Sequence, residues 1–203
     1  MRKFKNIIFD FGGVILTEDD NWLFSKETKT FLDTNSERLS EGWNSAWPNA
    51  RAGKINEEQF FNIFLKNSIG TTDDKKITKL KKIYRKMSSK LESFSLLDKL
   101  KINYRLFSLA NITSDWLKYK IDKFALNKYF DLIVSSCGEG IEKPHKEIFF
   151  SLIKKAKIKT EESLFIDNFA RNIKPARELG FETILFTNKV DLVKKMKKLG
   201  IKI

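Results

Sequence analysis

The spacing of apolar positions divides the chain into three stretches. FKNIIFDF reads as a short strand that ends in an acid and opens into a glycine pair, Gly12 and Gly13. From about 21 to 90 the apolar residues recur at helical spacing, and no strand is predicted between about 18 and 90. WLFSKETKTFLDT reads as a helix. Asn56 is placed to N-cap EEQFFNIFLKNS, which carries two Glu in its first turn and Gly70 just past its end. Thr72 and Asp73 are placed to cap the Lys-rich helix that follows. After Ser93 the rhythm alternates. SLLDKLKI, SDWLKYKIDKFAL (with Ser114 as cap), HKEIFFSLIKKAKI, ARNIKPAREL (closed by Gly180) and the tail read as helices. YRLFSLAN, FDLIVSS, ESLFIDN and FETILFT read as strands between them. Strands alternating with helices of this length predict βαβ units and a parallel sheet. The fold class is therefore α/β.

Composition narrows the picture. The chain has 203 residues, 41% of them hydrophobic, with 18 Phe and 4 Trp. That is enough for one core plus a small insert and too aromatic for intrinsic disorder. No apolar run reaches the roughly 18 residues of a membrane span. The basic, apolar N-terminal segment is broken by Asp10 and has no small-residue cleavage site, so it is read as a first strand and not a signal peptide. A single cysteine, Cys137, excludes an intrachain disulfide and a cysteine zinc site, and fits a cytoplasmic location.

The net charge of +13 raises nucleic-acid binding as a reading. Against it, the basic residues are 32 Lys and 7 Arg, and Arg is the better bidentate group for phosphates and bases. The lysines are spread along the chain, densest on two amphipathic helices at 75–90 and 189–203, where they form solvated faces.

Ligands of parallel sheets bind at the carboxyl ends of the strands. Those ends carry Asp10, Asn111, Ser135–Ser136 and Asp167–Asn168, and Lys143 follows the third predicted sheet strand in GIEKPHKEIF. Two carboxylates and a Lys suit a hard cation and a phosphate: oxygen ligands select Mg²⁺, and Lys neutralises phosphate as a point charge. A carboxylate is also a competent nucleophile toward phosphorus.

Asp10 in IIFDFGGVIL, Asn111 in LFSLANIT, Lys143 in GIEKPHKEIF and Asp167 in LFIDNFARNIKPARELGF resemble, in order and spacing, the motifs of the haloacid dehalogenase (HAD) superfamily. The subgroup it resembles opens with D-x-G-G/N-V and includes small sugar-phosphate phosphatases. The resemblance implies a HAD-like, Rossmannoid core from 1–17 and 91–203, with 18–90 as an inserted all-α cap. It implies a phosphatase acting on a small phosphorylated metabolite through an aspartyl-phosphate. Asp10 would be the nucleophile and Lys143 its electrostatic partner. Asn111 and the backbone at Ala110 and Gly13 would hold phosphate. Asp10, the carbonyl of Gly12, Asp167 and Asn168 would hold Mg²⁺. Asn172 matches a recurrent Asn of the family.

The sequence also departs from the family's pattern. Gly12 stands where most family phosphatases have a second Asp, the general acid/base. Ala110 replaces a Ser or Thr, Asn168 replaces an Asp, and His145 stands where an acid often follows Lys-Pro. These departures leave two other readings: a domain that binds a ligand or protein without turnover, and a metal-independent dehalogenase-like hydrolase. Asn168 has a second reading as N-cap of the next helix. Glu18, Asp19 and Asp20 read as a solvated loop, or as a source of the missing acid/base. Trp43 and Trp47, four apart, face one side of a helix, as core packing or as a substrate wall, with Arg51 one turn on as a cation for an anionic substrate group. Trp22 is placed near the mouth of the site. His145 falls in a loop or at a helix start.

Overall fold

A computed structural model of the chain describes residues 4–203. Residues 1–3, the start of the segment expected to join the core, lie outside that range. Five strands form one parallel sheet: β1 (Asn6–Phe9), β2 (Arg105–Ala110), β3 (Leu132–Ser135), β4 (Ser163–Asp167) and β5 (Glu182–Leu185), in the order β3-β2-β1-β4-β5. The helices among the described residues are α1 (Lys26–Leu32), α2 (Ser36–Arg51), α3 (Glu57–Ile69), α4 (Asp74–Met87), α5 (Leu96–Leu100), α6 (Ser114–Phe124), α7 (Ser136–Glu139), α8 (Lys146–Ala156), α9 (Ala170–Glu178) and α10 (Lys189–Lys198).

Successive strand side chains point to opposite faces, and the sheet sorts its apolar residues accordingly. Ile8, Phe107, Leu109 and Phe165 pack with Ile148, Phe149 and Leu152 of α8 and Ile173 and Ala176 of α9. Ile7, Phe9, Leu106 and Ile166 belong to a second cluster with α5, α6 and α10. That second cluster continues without a break into α2, α3 and α4 through Leu39, Phe60, Phe64, Leu80 and Tyr84.

The helical segment leaves and rejoins the sheet at one place. Leu16 bridges to both Gly12 and Lys90, Thr17 N–H donates to Ser89 O (3.0 Å), and Leu91 N–H donates to Ile15 O (2.9 Å). Apart from the single bridge residue Lys90, the described residues between 18 and 90 hold helices and turns. Asn56 forms a full capping box with Gln59 and Asp73 caps α4, both as the sequence indicates. Gly70 closes α3 at φ +76°, a left-handed conformation that a side chain resists.

Three local expectations are corrected. WLFSKETKTFLDT is not one helix: Trp22–Phe24 are turns, and Ser25 caps a shorter α1 by accepting from Thr28 N–H. The cap of α6 is Thr113, not Ser114, with Thr113 Oγ1 accepting from Trp116 N–H. Asn168 does not cap the next helix: α9 begins after Phe169, and no side chain caps it.

Candidate active site

Asp10 directly follows β1 and Asp167 ends β4, the neighbouring strand. Because Ile8 and Phe165 point to the α8 face, the alternation carries Asp10 and Asp167 to that same face. The loop into α8 enters there and delivers Lys143. Its Nζ lies 3.0 Å from Asp10 Oδ1 and 2.7 Å from Asp167 Oδ2, and only 2% of the residue is exposed. Asn111, just past β2, anchors that loop: its Nδ2 donates to Lys143 O and its Oδ1 accepts from Lys143 N–H, each at 2.9 Å.

The hydrogen bonds separate the two acids. Asp10 uses Oδ1 twice, accepting from Phe11 N–H (2.7 Å) and facing Lys143. Its Oδ2 accepts no hydrogen bond among the described residues, and the residue lines a cavity of about 390 Å³. Asp167 is fully buried and saturated. Its Oδ1 accepts from Phe169 N–H and Asn172, and its Oδ2 from Lys143 and Asn172. Asp10 is therefore the carboxylate with an oxygen left unbonded, and Asp167 the one fully engaged, with Lys143 among its partners.

Burial raises Asp10 most, Lys143 lowers it, and Asp167 raises it again, for a result of about 7. Burial opposes the charge on Lys143, but Asp10 and Asp167 outweigh it and hold the ammonium above its ordinary value.

The remaining sequence candidates fall as follows. Gly12 lines the cavity. Gly13, at φ +68°, spends its N–H on Leu16 O, and Ala110 is buried at the end of β2. Asn168 Nδ2 donates to Glu18 Oε1 at 2.6 Å, while its own Oδ1 is buried and without a hydrogen-bond partner among the described residues. Asn172, on α9, holds Asp167 and borders the cavity. His145 is exposed at the start of α8.

The loop 18–20 is not simply solvated. All three acids border the cavity. Burial raises Glu18, with Asn168 lowering it, and burial likewise raises Asp20. Asp19 is 8% exposed and pairs with buried Lys120 of α6 at 2.7 Å, while Tyr84 of α4 donates its hydroxyl to it at 3.1 Å. Sequence reasoning missed that pairing because Lys120 is one Lys among many and lies on an otherwise amphipathic helix.

Opposite Asp10, α2 presents Trp43, Trp47 and Arg51 at intervals of four, with Asn44 beside them. The two indoles stack at 4.6 Å and both remain half-buried. Arg51 is not free for a substrate anion: its guanidinium pairs with Glu142. Trp22 is core, packed on Trp43, Phe61 and Phe64, and 1% exposed.

No three His, Cys, Asp or Glu side chains form a cation-binding group among the described residues. The oxygen donors at hand are mixed: the free oxygen of Asp10, the backbone of Gly12 and the unpartnered amide oxygen of Asn168. All are hard donors, so the set fits Mg²⁺ in kind.

The sequence and the parallel-sheet fold are matched by known proteins. The haloacid dehalogenase-like hydrolase family matches residues 7–186, and the chain belongs to that family. Over 198 residues it is 27% identical to D-ribitol-5-phosphate phosphatase of Bacteroides thetaiotaomicron, covering 92% of this chain and 94% of that one. It is 34% identical to mouse bifunctional epoxide hydrolase 2 over 99 residues, 45% of this chain and 18% of that much longer protein. Among solved structures, the HAD family enzyme bt-2542 of B. thetaiotaomicron superposes with a TM-score of 0.80 at 23% identity, covering 96% and 98% of the two chains. L-2-haloacid dehalogenase of Xanthobacter autotrophicus shares the fold at a TM-score of 0.68 and 15% identity, covering 98% and 85%. No helix among the described residues is long and apolar enough to cross a membrane.

Proposed function

We propose that this hydrolase is a Mg²⁺-dependent phosphatase of a small phosphomonoester, with 18–90 serving as the cap that shapes its substrate cavity. The observation that carries the reading is the asymmetry of Asp10. One oxygen is held by Phe11 N–H and Lys143, and the other is unbonded on a residue lining the cavity. The similarity to a D-ribitol-5-phosphate phosphatase over nearly the full length of both chains supports the substrate class.

Asp10 Oδ2 attacks phosphorus, the bond to the ester oxygen breaks, and an aspartyl-phosphate forms on the chain. The alcohol leaves with a proton taken from the solvent-filled cavity. Water then attacks the acyl-phosphate and returns Asp10 and inorganic phosphate. Lys143 keeps its charge throughout and offsets the anion that builds on Asp10 and the phosphoryl oxygens. Asp167 and Asn111 hold Lys143 in place, one at its ammonium and one at its backbone. Asp10, Gly12 and Asn168 are the residues that would hold Mg²⁺, which would supply charge neutralisation and orientation of the phosphoryl group. Asp167, read from the sequence as a ligand, has both oxygens engaged and stands behind them. Trp43 and Trp47 offer an apolar wall to the leaving alcohol. A cavity of about 390 Å³ suits a small metabolite better than a polymer.

The test is release of phosphate from a panel of sugar and polyol phosphates, with Mg²⁺, with chelator, and with Asp10→Asn. Turnover that needs both the metal and Asp10 supports the reading; a folded protein silent across the panel overturns it in favour of a binding domain. The absence of any group of three His, Cys, Asp or Glu side chains placed to hold a cation among the described residues favours one competing reading, metal-free displacement at carbon by Asp10. Halide release from 2-haloacids that is indifferent to chelator would mark it.

A further inference from the structure

Glu18 stands over the glycine pair that follows Asp10. A Cβ built on Gly12 would come within 2.8 Å of Glu18 Oε2, and one on Gly13 would run into both Oε1 and the Asn168 amide. The two glycines thus leave the room that the Glu18–Asn168 pair fills. The hydrogen bond between them fixes the amide: Nδ2 faces Glu18 Oε1 at 2.6 Å, so Oδ1 faces away. That oxygen is buried and has no partner among the described residues. Asn172, 3% exposed and bordering the same cavity, likewise has an unpartnered Oδ1, because its Nδ2 is spent on Asp167.

The charge available to a cation here is small. Both oxygens of Asp167 already accept hydrogen bonds, and Lys143 lies between the two aspartates. Asp10 offers one free oxygen, and Gly12 and Asn168 are neutral. Glu18 Oε2 accepts no hydrogen bond among the described residues and is the nearest carboxylate oxygen to Gly12 in the contacts of that glycine.

Resting on the metal-dependent reading above, we propose that Glu18 belongs to the Mg²⁺ site. Its Oε2 ligates the cation directly or through one water and supplies the negative charge that Asn168 lacks, while Oε1 orients the Asn168 amide so that its oxygen is free to ligate. Affinity for divalent cations rises with ligand charge, and the partners that orient a ligand carry part of it.

The experiment measures Mg²⁺ binding to the full chain by titration calorimetry, and Mn²⁺ binding by electron paramagnetic resonance, without substrate. Glu18→Gln keeps the size and the acceptor for Asn168 but removes the charge, and should weaken binding about 10–100-fold. Asn168→Asp should tighten it, and the double variant should return to within about threefold of wild type if charge is what counts. Asp20→Asn removes a charge from the same cavity without touching Asn168 and should change affinity less than about threefold. Folding of each variant is checked by circular dichroism. The proposal is overturned if Glu18→Gln binds as wild type does, or if Asp20→Asn weakens binding as much. Mg²⁺-dependent turnover with unchanged Glu18→Gln affinity would remove Glu18 from the site and leave the phosphatase reading standing. A wild-type chain that turns over phosphoesters but binds no Mg²⁺ would remove both the metal and Glu18.

Discussion

Asn111 and Lys143 grip each other backbone to side chain. The Asn111 amide donates to the Lys143 carbonyl and accepts from the Lys143 N–H, both at 2.9 Å, across 32 residues of sequence. One side chain thereby satisfies both backbone groups of the residue whose ammonium sits between the aspartates. Asn111→Ala should leave those groups unpaired at a cost of about 1–3 kcal/mol. It should also lower kcat by loosening Lys143, with a smaller change in KM. Urea unfolding and phosphate release measure the two effects separately.

Lys143→Met keeps much of the side-chain volume and removes the charge. Two buried carboxylates are then left facing each other, and breaking a buried pair of this kind costs about 3–5 kcal/mol. Adding Asp10→Asn should recover part of the loss, since one of the opposed charges goes with it. Calorimetric unfolding in chelator compares the single and double variants.

The raised Asp10 gives a pH signature in the metal-free protein. Its ordinary value is 3.8 and its folded value about 7, so between them the folded state holds a proton that the unfolded state has lost. The contribution to stability is full below about 4 and is lost as pH rises through 7. Asp10→Asn cannot lose that proton. Its Tm should therefore rise relative to wild type between pH 4 and pH 8, by about 2–4 °C for each kcal/mol involved. Melting curves in chelator across that range would show parallel profiles if Asp10 were unshifted.

Trp47 lines the cavity and packs against Trp43, Phe60 and Trp116. Trp47→Ala should raise KM about 2–10-fold with kcat little changed, the pattern expected when a contact made equally in ground and transition states is removed. Steady-state kinetics on the best substrate decides it; a fall in kcat at constant KM would place the indole nearer the reacting atoms.

The α/β alternation after residue 93 was legible because each strand is a compact apolar run and each helix a spaced one. Asp10 and Asp167 were legible for the same reason: a strand end can be read, and parallel strands bring their ends together. Other features depend on pairs that lie far apart in sequence. Glu18 meets Asn168 across 150 residues, and Asp19 finds a buried lysine on α6 that no local pattern distinguishes from its exposed neighbours. Arg51 read as a free cation because Glu142, its partner, lies 91 residues further along the chain. At the caps, Thr113 and Ser114 offer equivalent hydroxyls one residue apart, and only the backbone turn chooses between them.

β1 and β4 are neighbours in the sheet, with Asn6 opposite Ser163 and Phe9 opposite Ile166, although they lie 157 residues apart along the chain. Because synthesis runs from the N-terminal side, β1 and Asp10 leave the ribosome well before the strand that brings Asp167 to Lys143. Over that span the central strand is unpaired on that side, and the contact between Lys143 and Asp167 forms only once β4 emerges.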